Sequence, residues 1–238
     1  MIPRKIHYCW FGREQMPQEA LQCIASWHKH MPDWEYKLWN EDNFDTERYP
    51  YAKEAYEAGK YAFVSDVARL VALNNEGGVY LDTDVEVFKS LAPLLDNHAF
   101  AGFEGCKRKL VATCILGSEA GTSWVQEQLA YYTDRHFLLP DGRLDQTTNV
   151  LHMTTHMRTH GFVQNGLEQD YKDLHVYPAD YFSPRHTTGE YIRTGNTYCD
   201  HHGMGSWTGA NRFIHKIGSV LGQRNMTRII KLKRRIVG

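Results

Sequence analysis

Along the first forty residues the apolar positions change period twice. KIHYCWFG, following Pro3, is rich in β-branched and aromatic residues and stops at Gly12, which predicts a first strand. Gln18 to His30 carries Ala20, Leu21, Ile24 and Trp27 at helical steps and ends before Pro32. EYKLW, Glu35 to Trp39, predicts a second strand stopped by Asn40. A strand, helix and strand of these lengths form a βαβ unit, and hence a parallel pair. Tyr51 to Tyr61 is helical in composition. Ser65 is expected to cap a further helix, with Val67, Leu70, Val71 and Asn74 on one face and Gly77-Gly78 as its stop. Val79 to Val87 then reads as an apolar strand whose end carries acids. Farther on, strands are expected at Ala99 to Phe103, Val111 to Leu116, His175 to Pro178 and Thr197 to His201. Helices are expected at Thr122 to Arg135, Leu144 to Thr159 and over the last 25 residues. With no repeat and no low-complexity linker, the pattern predicts one α/β domain over residues 1–210, with a basic helical tail over 211–238.

Composition changes this picture little. Of 238 residues, 42% are hydrophobic and 23% charged, which excludes disorder for the bulk of the chain. No window approaches the roughly 18 apolar residues of a membrane span, and the start lacks a signal-peptide core, so a cytoplasmic protein is expected. Five cysteines are scattered without a CxxC pair, which argues against a disulfide framework and for a reducing compartment. Charge is more informative. The net is −1, but the segment from His201 onward holds eight Lys/Arg and no acid, so the first 200 residues carry 19 basic and 28 acidic residues. Global neutrality argues against a nucleic-acid partner. In the tail, Arg224, Arg228, Lys231, Lys233, Arg234 and Arg235 interleave with apolar residues at three- and four-residue steps. That pattern fits an amphipathic helix on the inner face of a membrane, or a helix packed on the body.

Candidate chemistry concentrates at Asp82 and Asp84. Side chains two apart on a strand point to one side, so both carboxylates can face a single point. Such a pair suits a hard cation, Mn²⁺ or Mg²⁺, that keeps positions open for phosphate oxygens. Strand C-terminal ends are also where open α/β sheets bind ligands. A bare DxD occurs often by chance, with a solvated turn as the plain alternative.

The surroundings sharpen it. Tyr61-Ala62-Phe63-Val64-Ser65-Asp66-Val67-Ala68-Arg69-Leu70, followed by Gly77-Gly78-Val79-Tyr80-Leu81-Asp82-Thr83-Asp84, resembles the DXD-containing sugar-binding glycosyltransferases. That family includes capsular polysaccharide transferases and the initiation-specific α-1,6-mannosyltransferase, and it is remotely similar to the clostridial glucosylating toxins. Further matching pieces are Ile2 to Gly12, Ser26-Trp27, Pro32 to Glu35, Leu38 to Asn40, Tyr177-Pro178, His201-His202 and Ser206-Trp207. The resemblance is specific over residues 1–105, patchy to 210 and absent from the tail.

It implies a GT-A fold with a mixed, mostly parallel central sheet flanked by helices. It also implies a nucleotide-diphosphate sugar donor (a UDP-sugar foremost), a divalent metal, and hexose transfer with retention to a saccharide acceptor that can be lipid-linked. By the same resemblance Trp10 stacks on the nucleobase. Asp66, Arg69 and Tyr80 join the donor site, and Asp82, Asp84 and His202 hold the metal. Ser206 lies nearby, and Trp207 binds the leaving diphosphate through its indole N–H. His201 is the alternative to His202, because neighbours on an extended segment point oppositely. The residues themselves allow plainer roles: Asp66 and Arg69, at i and i+3, could be a helix ion pair, and Trp10 a core aromatic. Asp145, Gln146 and Asn149 are candidates to face the sugar or acceptor.

Two other function classes fit less well. Asp82-Thr83-Asp84-Val85 matches the first motif of aspartyl-phosphate phosphohydrolases, but their second acidic pair is missing, since no Asp-Asp occurs in the chain. A non-catalytic sugar-binding module would not need Asp66 and Arg69 on the helix just before the acid strand. His152, His156 and His160 stand in line at i, i+4 and i+8. A single helix seldom supplies a metal site without ligands from elsewhere, so they read as a solvated or groove-lining face.

Overall fold

The computed structural model describes residues 1–105, 109–185 and 191–203. Of these, Met1–His202 form one compact unit; the boundary expected at 210 and the basic tail lie outside the described residues.

The βαβ unit forms as the periodicity predicts: β1 (Lys5–Cys9), α1 (Gln18–His30) and β2 (Glu35–Trp39). β1 and β2 pair in parallel from Lys5↔Glu35 to Cys9↔Trp39. Next come α2 (Pro50–Glu57), α3 (Tyr61–Glu76) and β3 (Gly78–Leu81). Ser65 does not cap α3. The helix begins four residues earlier, and the Ser65 hydroxyl donates to the Tyr61 carbonyl at 3.1 Å inside it. A serine one turn into a helix satisfies itself this way and marks no boundary.

A short strand β4 (Val85–Val87) is followed by β5 (Ala99–Gly102), β6 (Ile115–Ser118), α4 (Ser123–Ala130) and α5 (Asn149–Thr159). Then come β7 (Gln169–Tyr171), β8 (Leu174–Tyr177) and β9 (Cys199–His201). The main sheet has seven strands in the order β2-β1-β3-β6-β5-β8-β7, while β4 and β9 make a separate two-stranded ribbon. The expected mixed sheet flanked by helices is present. Its pairings are balanced rather than mostly parallel: β1/β2, β1/β3 and β5/β8 are parallel, and β3/β6, β5/β6 and β7/β8 antiparallel. β6 and β7 join neighbours through turns and loops instead of crossover helices, which forces the antiparallel sense.

Both faces of the sheet are covered. One apolar cluster collects Val64, Val67, Ala68 and Val71 of α3 with Trp124, Tyr132 and Met157; the other collects Trp27 of α1 with Ile6, Val79, Leu81 and Val85. Trp27 is fully buried, and its indole N–H donates to the Val85 carbonyl at 2.7 Å, which ties β4 to α1. Gly77 ends α3 at φ +63°, its N–H donating to Leu73 O at 3.0 Å. Gly78 follows at φ +112°, where a Cβ would lie 2.7 Å from the Lys5 carbonyl. Only glycine lets α3 turn so closely against β1.

His7 on β1 is fully buried between two groups that settle its tautomer. The Trp39 indole N–H donates to Nδ1 at 3.0 Å, so Nε2 carries the hydrogen that meets Gly77 O at 2.7 Å. The bond accepted at Nδ1 requires a neutral ring, and burial lowers the pKa against the opposing pull of the Gly77 carbonyl. The unfolded chain therefore takes up the proton first, below about pH 6.5, and stability is lost as pH falls from there, by at most about 1.4 kcal/mol per pH unit. His7→Gln, which keeps a donor and an acceptor but cannot titrate, should show a flatter dependence between pH 8 and 5 in urea melts, though a lower starting stability. Parallel curves for the two proteins would remove His7 from the account.

Candidate active site

β3 ends at Leu81, and the chain turns at once. Asp82 N–H donates to Cys114 O at 2.8 Å, Val85 N–H closes back on Asp82 O at 3.0 Å, and β4 leaves toward β9. The two acids thus sit on a tight turn, not along a strand as the period-two argument supposed. Their side chains converge because the turn folds Asp84 back beside Asp82. Pairing of β4 with β9 sets Val85 opposite His201, and His202 N–H donates to Asp84 O at 3.0 Å. His201 Nε2 then lies 3.3 Å from Asp84 Oδ1. One donor atom from each of Asp82, Asp84 and His201 falls within 4.8 Å of the others. His202, the expected partner of the acids, points the other way and meets Glu86 Oε2 at 3.1 Å. Neighbours on this extended segment point oppositely, which sets His201 beside Asp84 and His202 beside Glu86.

Behind the turn lies a buried charge network. Arg69 is 4% exposed and uses all three nitrogens on protein groups: Nε donates to Ser65 O at 3.2 Å and Nη1 to Thr113 O at 2.7 Å. Nη2 lies 3.0 Å from Asp66 Oδ1 and 3.3 Å from Asp82 Oδ1. The guanidinium stacks 4.6 Å over the Tyr80 ring, whose hydroxyl donates to the same Asp82 oxygen at 2.8 Å. Burial pushes the Asp66 carboxyl up to about 6 against the pull of Arg69, and the Asn149 N–H at the start of α5 also serves it. Burial works against the Arg69 cation too, but Asp82, Tyr80 and Asp66 outweigh it and hold its pKa above the usual range. Asp66, Arg69 and Tyr80, expected to join the donor site, form a connected network that braces Asp82.

Trp10 lies just past β1, half-buried, with its indole N–H on Glu14 O at 2.6 Å. Because β1 and β3 run parallel, Trp10 and Asp82 emerge at the same edge of the sheet. Asn149 is buried and accepts from the Thr113 hydroxyl at 2.9 Å. Asp145 is buried against Arg135, and Gln146 alone of the three candidates is exposed. Ser206 and Trp207 lie outside the described residues. The carbonyls of Ser65, Thr113 and Cys114, which anchor Arg69 and the turn, carried no signal in the sequence, since any residue supplies a carbonyl.

Residues 17–101 match the family described as "glycosyltransferase sugar-binding region containing DXD motif". Inositol phosphoceramide mannosyltransferase 1 of Schizosaccharomyces pombe is 31% identical over 106 residues, covering 42% of this chain and 33% of its own length. An uncharacterised glycosyltransferase of Acanthamoeba polyphaga mimivirus is 31% identical over 160 residues, covering 65% of this chain and 61% of that protein. Among solved structures, the PaToxG glycosyltransferase is 17% identical with a TM-score of 0.47, covering 54% of this chain and 59% of that one. The chain spans about a third of the first of these curated relatives. The turn that carries Asp82 and Asp84 lies within residues 17–101, the stretch of this chain that is similar to that DXD-containing glycosyltransferase sugar-binding region.

Proposed function

We propose that this protein is a metal-dependent, retaining glycosyltransferase of the GT-A type. It moves a hexose from a nucleoside-diphosphate sugar to a saccharide acceptor. The observation that carries the reading is the meeting of Asp82, Asp84 and His201 at the sheet edge from which Trp10 also emerges. The donor set fits a small divalent cation: two carboxylate oxygens and an imidazole, in a site where three carboxylates, Asp66, Asp82 and Asp84, stand close to Arg69 and His201. Asp82, Asp84 and His201 would hold Mn²⁺ or Mg²⁺, whose charge stabilises the departing diphosphate.

The chain's own residues do the rest. Arg69 and Tyr80 hold one Asp82 oxygen, leaving the second to face the site. Trp10 offers its face to the base, and Ser206 and Trp207 are proposed to contact the diphosphate. Preorganised charge of this kind is where a site without an evident nucleophile contributes most. The relative named as an inositol phosphoceramide mannosyltransferase makes mannose the first sugar to test and a lipid-borne glycan a reasonable acceptor. Among the described residues no helix is long and apolar enough to cross a membrane. The proposed contact with a cytoplasmic membrane face rests on the basic tail.

The test is release of labelled sugar from a panel of nucleotide sugars, with Mn²⁺ and with a chelator. Chelator-insensitive release would overturn the metal-dependent reading. Trp10→Ala should weaken nucleoside diphosphate binding by roughly 1–3 kcal/mol, the worth of one base–aromatic stack. Trp10→Phe should recover much of it. Calorimetric titration decides, and unchanged affinity in folded Trp10→Ala would return Trp10 to a packing role.

A further inference from the structure

The histidine ladder on α5 acquires a partner that only the fold supplies. Glu127 on α4 reaches across so that its Oε1 lies 2.6 Å from His156 Nε2. His160, the residue that caps the C-terminal end of α5, has its ring 4.4 Å from that of His156. Its Nδ1 lies 2.9 Å from the His156 carbonyl and 3.2 Å from the Thr159 hydroxyl. Donation from Nδ1 to the carbonyl sets the tautomer and leaves the Nε2 lone pair free, the arrangement by which a backbone carbonyl orients a metal-binding imidazole. The carboxylate is oriented as well: Tyr171 OH lies 3.3 Å from Oε1, and Lys172 Nζ takes Oε2 at 2.7 Å. Burial works against a charged Glu127, but Lys172 and His156 outweigh it and hold its pKa below the usual carboxylate range. One donor atom from each of Glu127, His156 and His160 falls within 4.8 Å of the others.

We propose that Glu127, His156 and His160 form a second metal site, separate from the aspartate turn, for a zinc-class ion. Two imidazoles one helical turn apart plus a carboxylate from another element are a ligand set suited to tetrahedral Zn²⁺ with one open position. The hard all-oxygen preference of Mg²⁺ does not match it. An ion there replaces the proton shared by His156 and Glu127 and staples α5 to α4 and, through Tyr171 and Lys172, to the β7 edge. Lys172 keeps one carboxylate oxygen and opposes the ion's charge, so binding is weaker than in a closed structural site. The inference does not depend on the proposed transferase activity.

The test uses the whole 238-residue chain carrying Asp84→Asn, so that competition from the aspartate turn is weakened. Co²⁺ titration near pH 8, where an ordinary imidazole is neutral, should give the intense visible bands of a tetrahedral ion at one equivalent. Zn²⁺ should displace the Co²⁺ and raise the melting temperature. Adding His160→Ala, at an exposed position, or Glu127→Gln should each weaken binding at least tenfold and remove the zinc-dependent melting shift. Weak octahedral Co²⁺ spectra would overturn the proposal. So would a dissociation constant above ~0.1 mM, about −5.5 kcal/mol, or unchanged binding after His160→Ala.

Discussion

Asp84→Asn is expected to lower sugar transfer about a thousandfold or more while leaving the protein folded. Asparagine keeps the shape of the side chain and removes the charge that would hold a divalent ion against phosphate oxygens. The several kilocalories of transition-state stabilisation such an ion supplies correspond to a loss of that size. The fold has little stake in this charge. Asp84 sits on a turn beside Asp82, a like charge, and its counterpart His201 is part of the same site. Loss of the histidine pairing and relief of carboxylate repulsion act in opposite directions, so metal-free stability should stay within about 1 kcal/mol of wild type. Mn²⁺-dependent stabilisation by a nucleoside diphosphate should disappear. Thermal melts with and without Mn²⁺ and a transfer assay on the same preparation check both halves. A folded variant that transfers at the wild-type rate with the metal chelated would end the metal-dependent reading.

Arg69→Met should produce the opposite profile, a severe loss of stability from a residue whose three nitrogens all meet protein groups. Removing the guanidinium leaves Asp66 buried and uncompensated, and strips Asp82 of one of its two anchors. Breaking a buried ion pair from one side costs about 3–5 kcal/mol, which in a domain of this size lowers the melting temperature by roughly 6–20 °C. The companion change separates the causes. In Asp66→Leu/Arg69→Met no buried carboxylate is left without a partner, because Asp82 is half-exposed and keeps the Tyr80 hydroxyl, so most of the stability should return. Transfer should not. With Asp82 held by one partner instead of two, activity is expected to stay about 10- to 100-fold down, the usual cost of losing a group that orients a metal ligand. A single variant within 1 kcal/mol of wild type in denaturant melts would show that Arg69 does not balance the buried acids.

How far such residues could be identified beforehand depends on whether their signal is local. Lys5–Cys9, Gln18–His30 and Glu35–Trp39 were legible because a strand or an amphipathic helix writes its period directly into consecutive residues. The Gly77-Gly78 stop was legible because backbone geometry there admits little else. The aspartate pair was legible as chemistry. Its geometry was not: the turn after Leu81 is held by Cys114 O and by β9, more than thirty and more than a hundred residues away.

The same distinction explains the reassignments. Period and resemblance placed Asp66 and Arg69 on one helix face, yet whether that face looks toward a ligand or into the protein depends on what packs over it. Here Thr113 and the start of α5 supply protein partners to both side chains. His201 and His202 are equivalent in sequence, and β9's pairing with β4 turns one inward and the other to Glu86. The row of histidines on α5 was plain in the sequence, but Glu127 comes from another helix and Tyr171 and Lys172 from the β7 edge. By itself the sequence determined the βαβ start, the long helix with its glycine stop, and the identity of the acids that carry the chemistry, because those depend on neighbours a few residues apart. Tertiary structure alone decided which groups meet those acids and which stand behind them, because hydrogen bonds and charge pairing act through space and the chain brings their partners together only on folding.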